Sequence, residues 1–232
     1  MSKKKSFAAY LIHGFTALGA PLGLGAILFT AQGNLQWALY LLAAAVVIDS
    51  VDGTLARMLD ISYYGWRIDG ALLDNIIDYL NWTIAPLFWA FYALEVPIWT
   101  LLLAAFASSL GFSNQDAKTE DDFFLGFPSY WNIIVFYLFF FELGSIPNIA
   151  ILLICAAATF VPFKFVYPSK TRFYRSVTLI LGAIFLIQLV AMLVLFHQTP
   201  DWLLYSALLY PAYYIALSVY LNIKFPYRKS GT

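Results

Sequence analysis

The chain has 232 residues, of which 62% are hydrophobic, 19% aromatic and only 11% charged, with a formal net charge of zero. A soluble domain carries charge on about 25% of its residues, so this polar surface is too small to cover a water-soluble globule. The composition predicts an all-α, polytopic membrane helical bundle, a single integral-membrane domain over residues 1–232. The balanced charge gives no ground for nucleic-acid binding, and the lone Cys155 excludes an intrachain disulfide.

In chain order, Met1-Ser-Lys3-Lys4-Lys5 resembles the basic flank of a signal peptide. The apolar run behind it exceeds twenty residues without a small-x-small cleavage pattern, so it reads as a retained first span. Eight apolar segments near 8–31, 35–57, 71–93, 97–114, 129–143, 147–163, 176–196 and 202–222 suit a hydrocarbon core about 30 Å thick, the fifth and sixth being short. Gly19, Gly23 and Gly25 in the first span resemble a nucleotide loop only superficially. No strand precedes them, and close helix packing is the expected use. The connections at 32–34, 94–96, 143–145 and 198–200 contain no Lys or Arg, so all 13 basic residues fall on one side of this eight-span arrangement. The positive-inside rule places that side and both termini in the cytoplasm. The cluster Lys164, Lys170, Arg172 and Arg175 is expected to face anionic headgroups, with donor-phosphate binding as the alternative.

The second and third spans carry the chemistry. Asp49-Ser-Val-Asp52-Gly53-Thr-Leu-Ala56-Arg57 is followed, after twelve residues, by Gly70-Ala-Leu-Leu-Asp74-Asn-Ile-Ile-Asp78. Ionisable groups at bilayer depth cost a few kcal/mol each and need a compensating partner. Helical spacing of three or four puts Asp49 with Asp52, and Asp74 with Asp78, on shared faces. Two such pairs across a hairpin make an oxygen-rich cage for a hard cation, Mg²⁺ or Mn²⁺, with room for two ions; without His or Cys, zinc is disfavoured. Gly53, Ala56 and Gly70 leave backbone open to a bulky ligand, and Arg57 offers a permanent positive fork for a carboxylate or phosphate. Salt bridges to Arg57 and Arg67 are the plainer explanation, but two arginines cannot neutralise Asp49, Asp52, Asp60, Asp69, Asp74 and Asp78.

These residues resemble the signature of the CDP-alcohol phosphotransferase family, D-x-x-D-G-x-x-A-R, a spacer, then G-x-x-x-D-x-x-x-D, with every fixed position filled. The resemblance implies a metal-dependent transfer from a CDP-linked lipid at the cytoplasmic face of a bacterial inner membrane. Asp49, Asp52, Asp74 and Asp78 would hold metal, with Asp78 also the base. Asp49, Gly53, Ala56, Arg57 and Gly70 would contact the CDP group. His13 and Thr16 match the family's Asn-x-x-Thr, which contacts cytidine, with His in place of Asn. The twelve-residue spacer, the stretch Asp74–Tyr79 and the stretch Lys118–Pro128 continuing into Tyr130-Trp131-Asn132 resemble a branch that takes choline as acceptor. The implied reaction joins CDP-diacylglycerol and choline into phosphatidylcholine and CMP. Tyr79, Tyr130 and Trp131, with Glu120 as charge partner, are candidates for the choline site, since a quaternary ammonium is held by aromatic faces. Other acceptors (serine, glycerol phosphate, inositol phosphate), an intramembrane prenyltransferase and a divalent-cation transporter are the alternatives. Membrane lipids are expected partners, and a homodimer is left open.

Overall fold

The structure, a computed structural model, describes residues 3–59 and 68–227, excepting the side chains of residues 3–6, 54 and 56–59. It is mostly helical and divides into two compact units, Met1–Leu101 with Tyr130–Phe139, and Leu102–Ser129 with Phe140–Thr232. Among the described residues, four helical stretches are long and apolar enough to cross a membrane: Phe7–Ala31, Leu35–Gly53, Arg175–Gln198 and Asp201–Lys224. The expected spans at 97–114, 129–143 and 147–163 are represented by shorter apolar helices, Ile98–Ser113, Trp131–Phe141 and Ser145–Ala158.

In the first unit, α1 (Lys3–Ala17) and α2 (Gly19–Ala31) are one apolar stretch interrupted at Leu18. Pro21 lacks the N–H that would bond Ala17 and its ring crowds that carbonyl, which ends the first helix there. A tight turn closes α2: Gly33 takes φ of 78°, its N–H bonds Thr30 O, and the Asn34 N–H reaches Phe29 O at 2.9 Å. This left-handed closure returns the chain as α3 (Leu35–Leu59) along α2. Trp89 is fully buried and donates from Nε1 to Leu35 O at 3.0 Å, tying the start of α3 to α5 (Ala85–Ala93).

The segment carrying the second aspartate pair opens on Asp69, whose carboxylate accepts the Leu72 N–H at 3.0 Å and caps α4 (Gly70–Asp78). The helix then widens into a π turn over Tyr79–Ile84 before α5. The Ala85 N–H bonds Leu80 O, five residues back. Pro86 supplies the cause, because it has no N–H for the Trp82 carbonyl and its ring crowds that oxygen; the ladder relaxes into the wider turn just ahead of it. The 9, 6 and 9 residues of α4, the π turn and α5 run on without a break. The expected close packing at Gly19 and Gly23 is present. A Cβ on Gly19 would lie 2.3 Å from Ile77 Cγ2, and one on Gly23 would lie 2.6 Å from Asn81 Oδ1.

In the second unit, beyond α6 (Ile98–Ser113), the all-α expectation needs correction. Phe123–Leu125 (β1) pairs antiparallel with Lys164–Val166 (β2), in the register Phe123 to Val166 and Leu125 to Lys164. Aromatic and β-branched runs favour a pleated surface, and the outer edge of β2 is covered from α11 (Leu209–Lys224). Asn222 Oδ1 accepts the Lys164 N–H at 3.0 Å, and Ser218 Oγ accepts the Val166 N–H at 3.1 Å. Phe123, Val166, Leu217 and Leu221 form the core beneath. The expectation for Lys164 fails here: it is 4% exposed, pairs with Asp121, donates to Phe225 O and lies over the Phe123 ring. Arg172 and Arg175 remain exposed, and Lys170 lies over the Tyr167 ring. Between α7 (Trp131–Phe141) and β2 runs α8 (Ser145–Ala158). In α9 (Arg175–Leu195), Ile180, Ile184, Ile187 and Val194 are at least half exposed, a surface suited to lipid rather than water. Beside it, α10 (Asp201–Ala207) leads into α11, with Phe185 stacked on Tyr210 at 4.8 Å.

Candidate active site

The first unit assembles the aspartates. Carboxylate oxygens of Asp49, Asp74 and Asp78 all lie within 4.8 Å of one another. Asp49 and Asp78 come within hydrogen-bonding reach, and the Trp82 indole donates to Asp49. Asp52, 4% exposed, lies outside the trio yet close enough for its charge to bear on Asp49. Four carboxylates at one end of two helices, one buried and three half-buried, with oxygen the only donor atom, fit a hard divalent ion that would offset their mutual repulsion. Of the four expected ligands, Asp49, Asp74 and Asp78 make up the trio, while Asp52 lies one turn further along α3.

The helix carrying His13 and Thr16, α1, packs against both α3 and α4. Ala9 and Ile12 are buried against Leu55 of α3. On the neighbouring face, the imidazole of His13 lies over Gly70: a Cβ there would be 2.8 Å from His13 Cε1. Only a residue without a side chain lets the α4 terminus approach this ring so closely. Thr16, one turn beyond, is 7% exposed, and His13 is 6% exposed. Gly53 is half-buried on α3; Ala56 and Arg57 follow it, but their side chains lie outside the described residues.

The acceptor candidates divide between the units. Tyr79 opens the π turn and is half-buried. Tyr130 lies 5.4 Å from Trp82, centroid to centroid, with the rings tilted by 50°. Trp131 is fully buried at 0% exposure, and Glu120 is an exposed residue of the second unit. Two residues of the π turn were not anticipated from sequence. Asn81 donates to Gly19 O at 3.0 Å and Ile77 O at 3.1 Å, bracing α2 against α4. Trp82 holds Asp49. The signal for Trp82 is the spacing itself, since Asp74, Asp78 and Trp82 recur every four residues and line one side of the helix.

A polar cluster of this kind, acidic, oxygen-only and set among apolar helices, is a group that could hold a metal ion. The sequence profile of CDP-alcohol phosphatidyltransferase matches residues 9–162, and the chain belongs to that family of enzymes. Among its curated relatives is the phosphatidylcholine synthase of Borreliella burgdorferi, 37% identical over 93% of this chain and 95% of the relative. The phosphatidylcholine synthase of Legionella pneumophila is 37% identical over 92% of this chain and 88% of its own length. That of Legionella bozemanae is 36% identical over 87% and 98%.

Proposed function

We propose that this protein transfers the phosphatidyl group of CDP-diacylglycerol to choline, yielding phosphatidylcholine and CMP, at the cytoplasmic face of a bacterial inner membrane. The observation that carries this reading is the convergence of Asp49, Asp74 and Asp78 within 4.8 Å, beside Asp52. The relatives' names supply the choice of acceptor. All eight apolar segments are taken to cross the membrane in one functional domain, a topology supported by the one-sided distribution of basic residues.

Asp49, Asp74 and Asp78, with Asp52 beside them, would hold Mn²⁺ or Mg²⁺, two ions at full occupancy. Such an ion, when bound, would supply positive charge to offset that of the pyrophosphate and the departing phosphate. His13 and Thr16, with Gly53, Ala56, Arg57 and Gly70, seat the CDP group. Glycine at position 70 lets the α4 terminus close up against His13, and Arg57 offers charge-assisted bonds to phosphate. Asp78 accepts the proton of the choline hydroxyl. The choline oxygen bonds the phosphorus that carries diacylglycerol, the bridging P–O bond breaks in line, and its electron pair leaves with CMP. Tyr79 and Tyr130, both half-buried, are the residues proposed for choline, whereas the expected Trp131 is fully enclosed and serves packing.

The test is incubation of the purified protein with CDP-diacylglycerol, Mn²⁺ and a panel of alcohols, with identification of the lipid formed. Phosphatidylcholine is expected from choline, lost in excess chelator and restored by Mn²⁺ or Mg²⁺. A different preferred alcohol would overturn the acceptor assignment, and full turnover in chelator would overturn the metal site.

A further inference from the structure

We infer that Trp82, paired with Tyr130, is the specificity-determining wall of the acceptor site, taking the quaternary ammonium of the alcohol against its indole face. The inference rests on the choline reading above and goes beyond it in naming a residue outside the family signature.

Three observations carry it. First, the single polar atom of Trp82, its indole N–H, is within hydrogen-bonding reach of Asp49, one of the three converging carboxylates, so the indole stands beside the reaction centre. Second, the Tyr130 ring meets it at 5.4 Å with a 50° tilt. A parallel stack would close the space between two rings, whereas a tilted pair leaves two converging faces. Third, both residues are only half-buried, while neighbouring Trp131 and Trp89 are fully enclosed and serve packing.

This surface has a definite chemical preference. A trimethylammonium group has no N–H to donate, so carboxylates can attract it but not hold it by hydrogen bonds. Aromatic faces bind it through the ring quadrupole, with Trp the strongest. A primary ammonium, as in ethanolamine or serine, would lose its hydration against these rings without regaining hydrogen bonds. The π turn is what makes the arrangement available, since it carries Trp82 on the same side as Asp74 and Asp78 just before Pro86.

The indole therefore has two separable tasks, orienting Asp49 and facing the cation. Trp82→Phe keeps a face and removes the N–H; Trp82→Leu removes both. Each variant, with Tyr130→Leu, is assayed for the choline KM, for kcat, and for inhibition by tetramethylammonium, which has the cation and no hydroxyl. Trp82→Leu and Tyr130→Leu are expected to raise both the choline KM and the tetramethylammonium inhibition constant about ten-fold, with the CDP-diacylglycerol KM within about two-fold. Trp82→Phe is expected to lower kcat while leaving the tetramethylammonium constant within about three-fold of wild type. Unchanged choline and tetramethylammonium constants in Trp82→Leu, or in Tyr130→Leu if the former does not fold, would overturn the assignment and leave Trp82 a support for Asp49 alone. The wild-type panel separates the two readings. If the native enzyme prefers another alcohol, the choline reading fails; if it prefers choline while these constants stay fixed, only the Trp82 assignment fails.

Discussion

Gly19→Ala adds a single methyl outside the aspartate cluster, and the packing makes it severe. The new Cβ would stand 2.3 Å from Ile77 Cγ2 and 3.2 Å from Asn81 Nδ2. Comfortable carbon–carbon contact is about 3.5–4.0 Å, so α2 and α4 must separate by roughly 1 Å or Ile77 must leave its rotamer. Ile77 is 8% exposed and β-branched, which leaves it little freedom. Overpacking of this kind costs about 1–3 kcal/mol, equivalent to a fall in Tm of roughly 5 °C for a chain of this size. The functional cost is expected to exceed the structural one. Ile77 adjoins Asp78, so a shift of α4 by about 1 Å moves Asp74 and Asp78 away from Asp49, and misplacement on that scale can lower turnover about 10²-fold. Gly14→Ala is the matched control, with nothing within 4 Å of its new Cβ, and it should leave both Tm and turnover near wild type. Thermal unfolding of the detergent-purified proteins and the phosphatidyl-transfer assay supply the two readouts. Equal Tm and equal turnover in the two variants would refute the claim that the α2–α4 contact sets the aspartate geometry.

Other outcomes follow from the same structure. Asp78→Asn should lower turnover by at least about 10²-fold with donor affinity changing less, since the other carboxylates remain; parallel collapse of donor affinity would make Asp78 chiefly a metal ligand. For topology, Ser62→Cys in a Cys155→Ala background should react with a membrane-impermeant thiol reagent only after cells are opened, and labelling in intact cells would invert the orientation. Burial opposes charge on Asp121, but the hydrogen bonds from Lys164 and Thr119 and the Lys164 charge outweigh it and hold the carboxyl below its ordinary value of 3.8. Its contribution to stability is therefore present above about pH 4 and lost as pH falls through the lower native value. Asp121→Asn should flatten the acid limb of a Tm profile between about pH 6 and pH 3, and superimposable profiles would refute the Asp121–Lys164 coupling.

Much of this protein is written locally. Apolar runs of span length, the left-handed turn at Gly33 and the two aspartate pairs depend on residue type and spacing, which bilayer thickness and helical periodicity translate directly into elements. The close approach of Gly19 and Gly23 to a neighbouring helix was legible for the same reason, since small residues in series have few other uses in a membrane helix. Tertiary structure decided which partner each group meets. Periodicity pairs Asp49 with Asp52 and Asp74 with Asp78, but the convergence of Asp49, Asp74 and Asp78 depends on how α3 and α4 face each other. Lys164 looked like a headgroup ligand in a basic cluster, yet strand pairing turned it inward onto Asp121 and the Phe225 carbonyl. Three-residue strands carry too little periodic signal to be told from a loop. Trp82, one of 44 aromatic residues, acquired its meaning only when Pro86 had loosened the helix ahead of it and the indole reached Asp49. Spacing along one chain is a local property; the meeting of two chain segments depends on packing that no single segment contains.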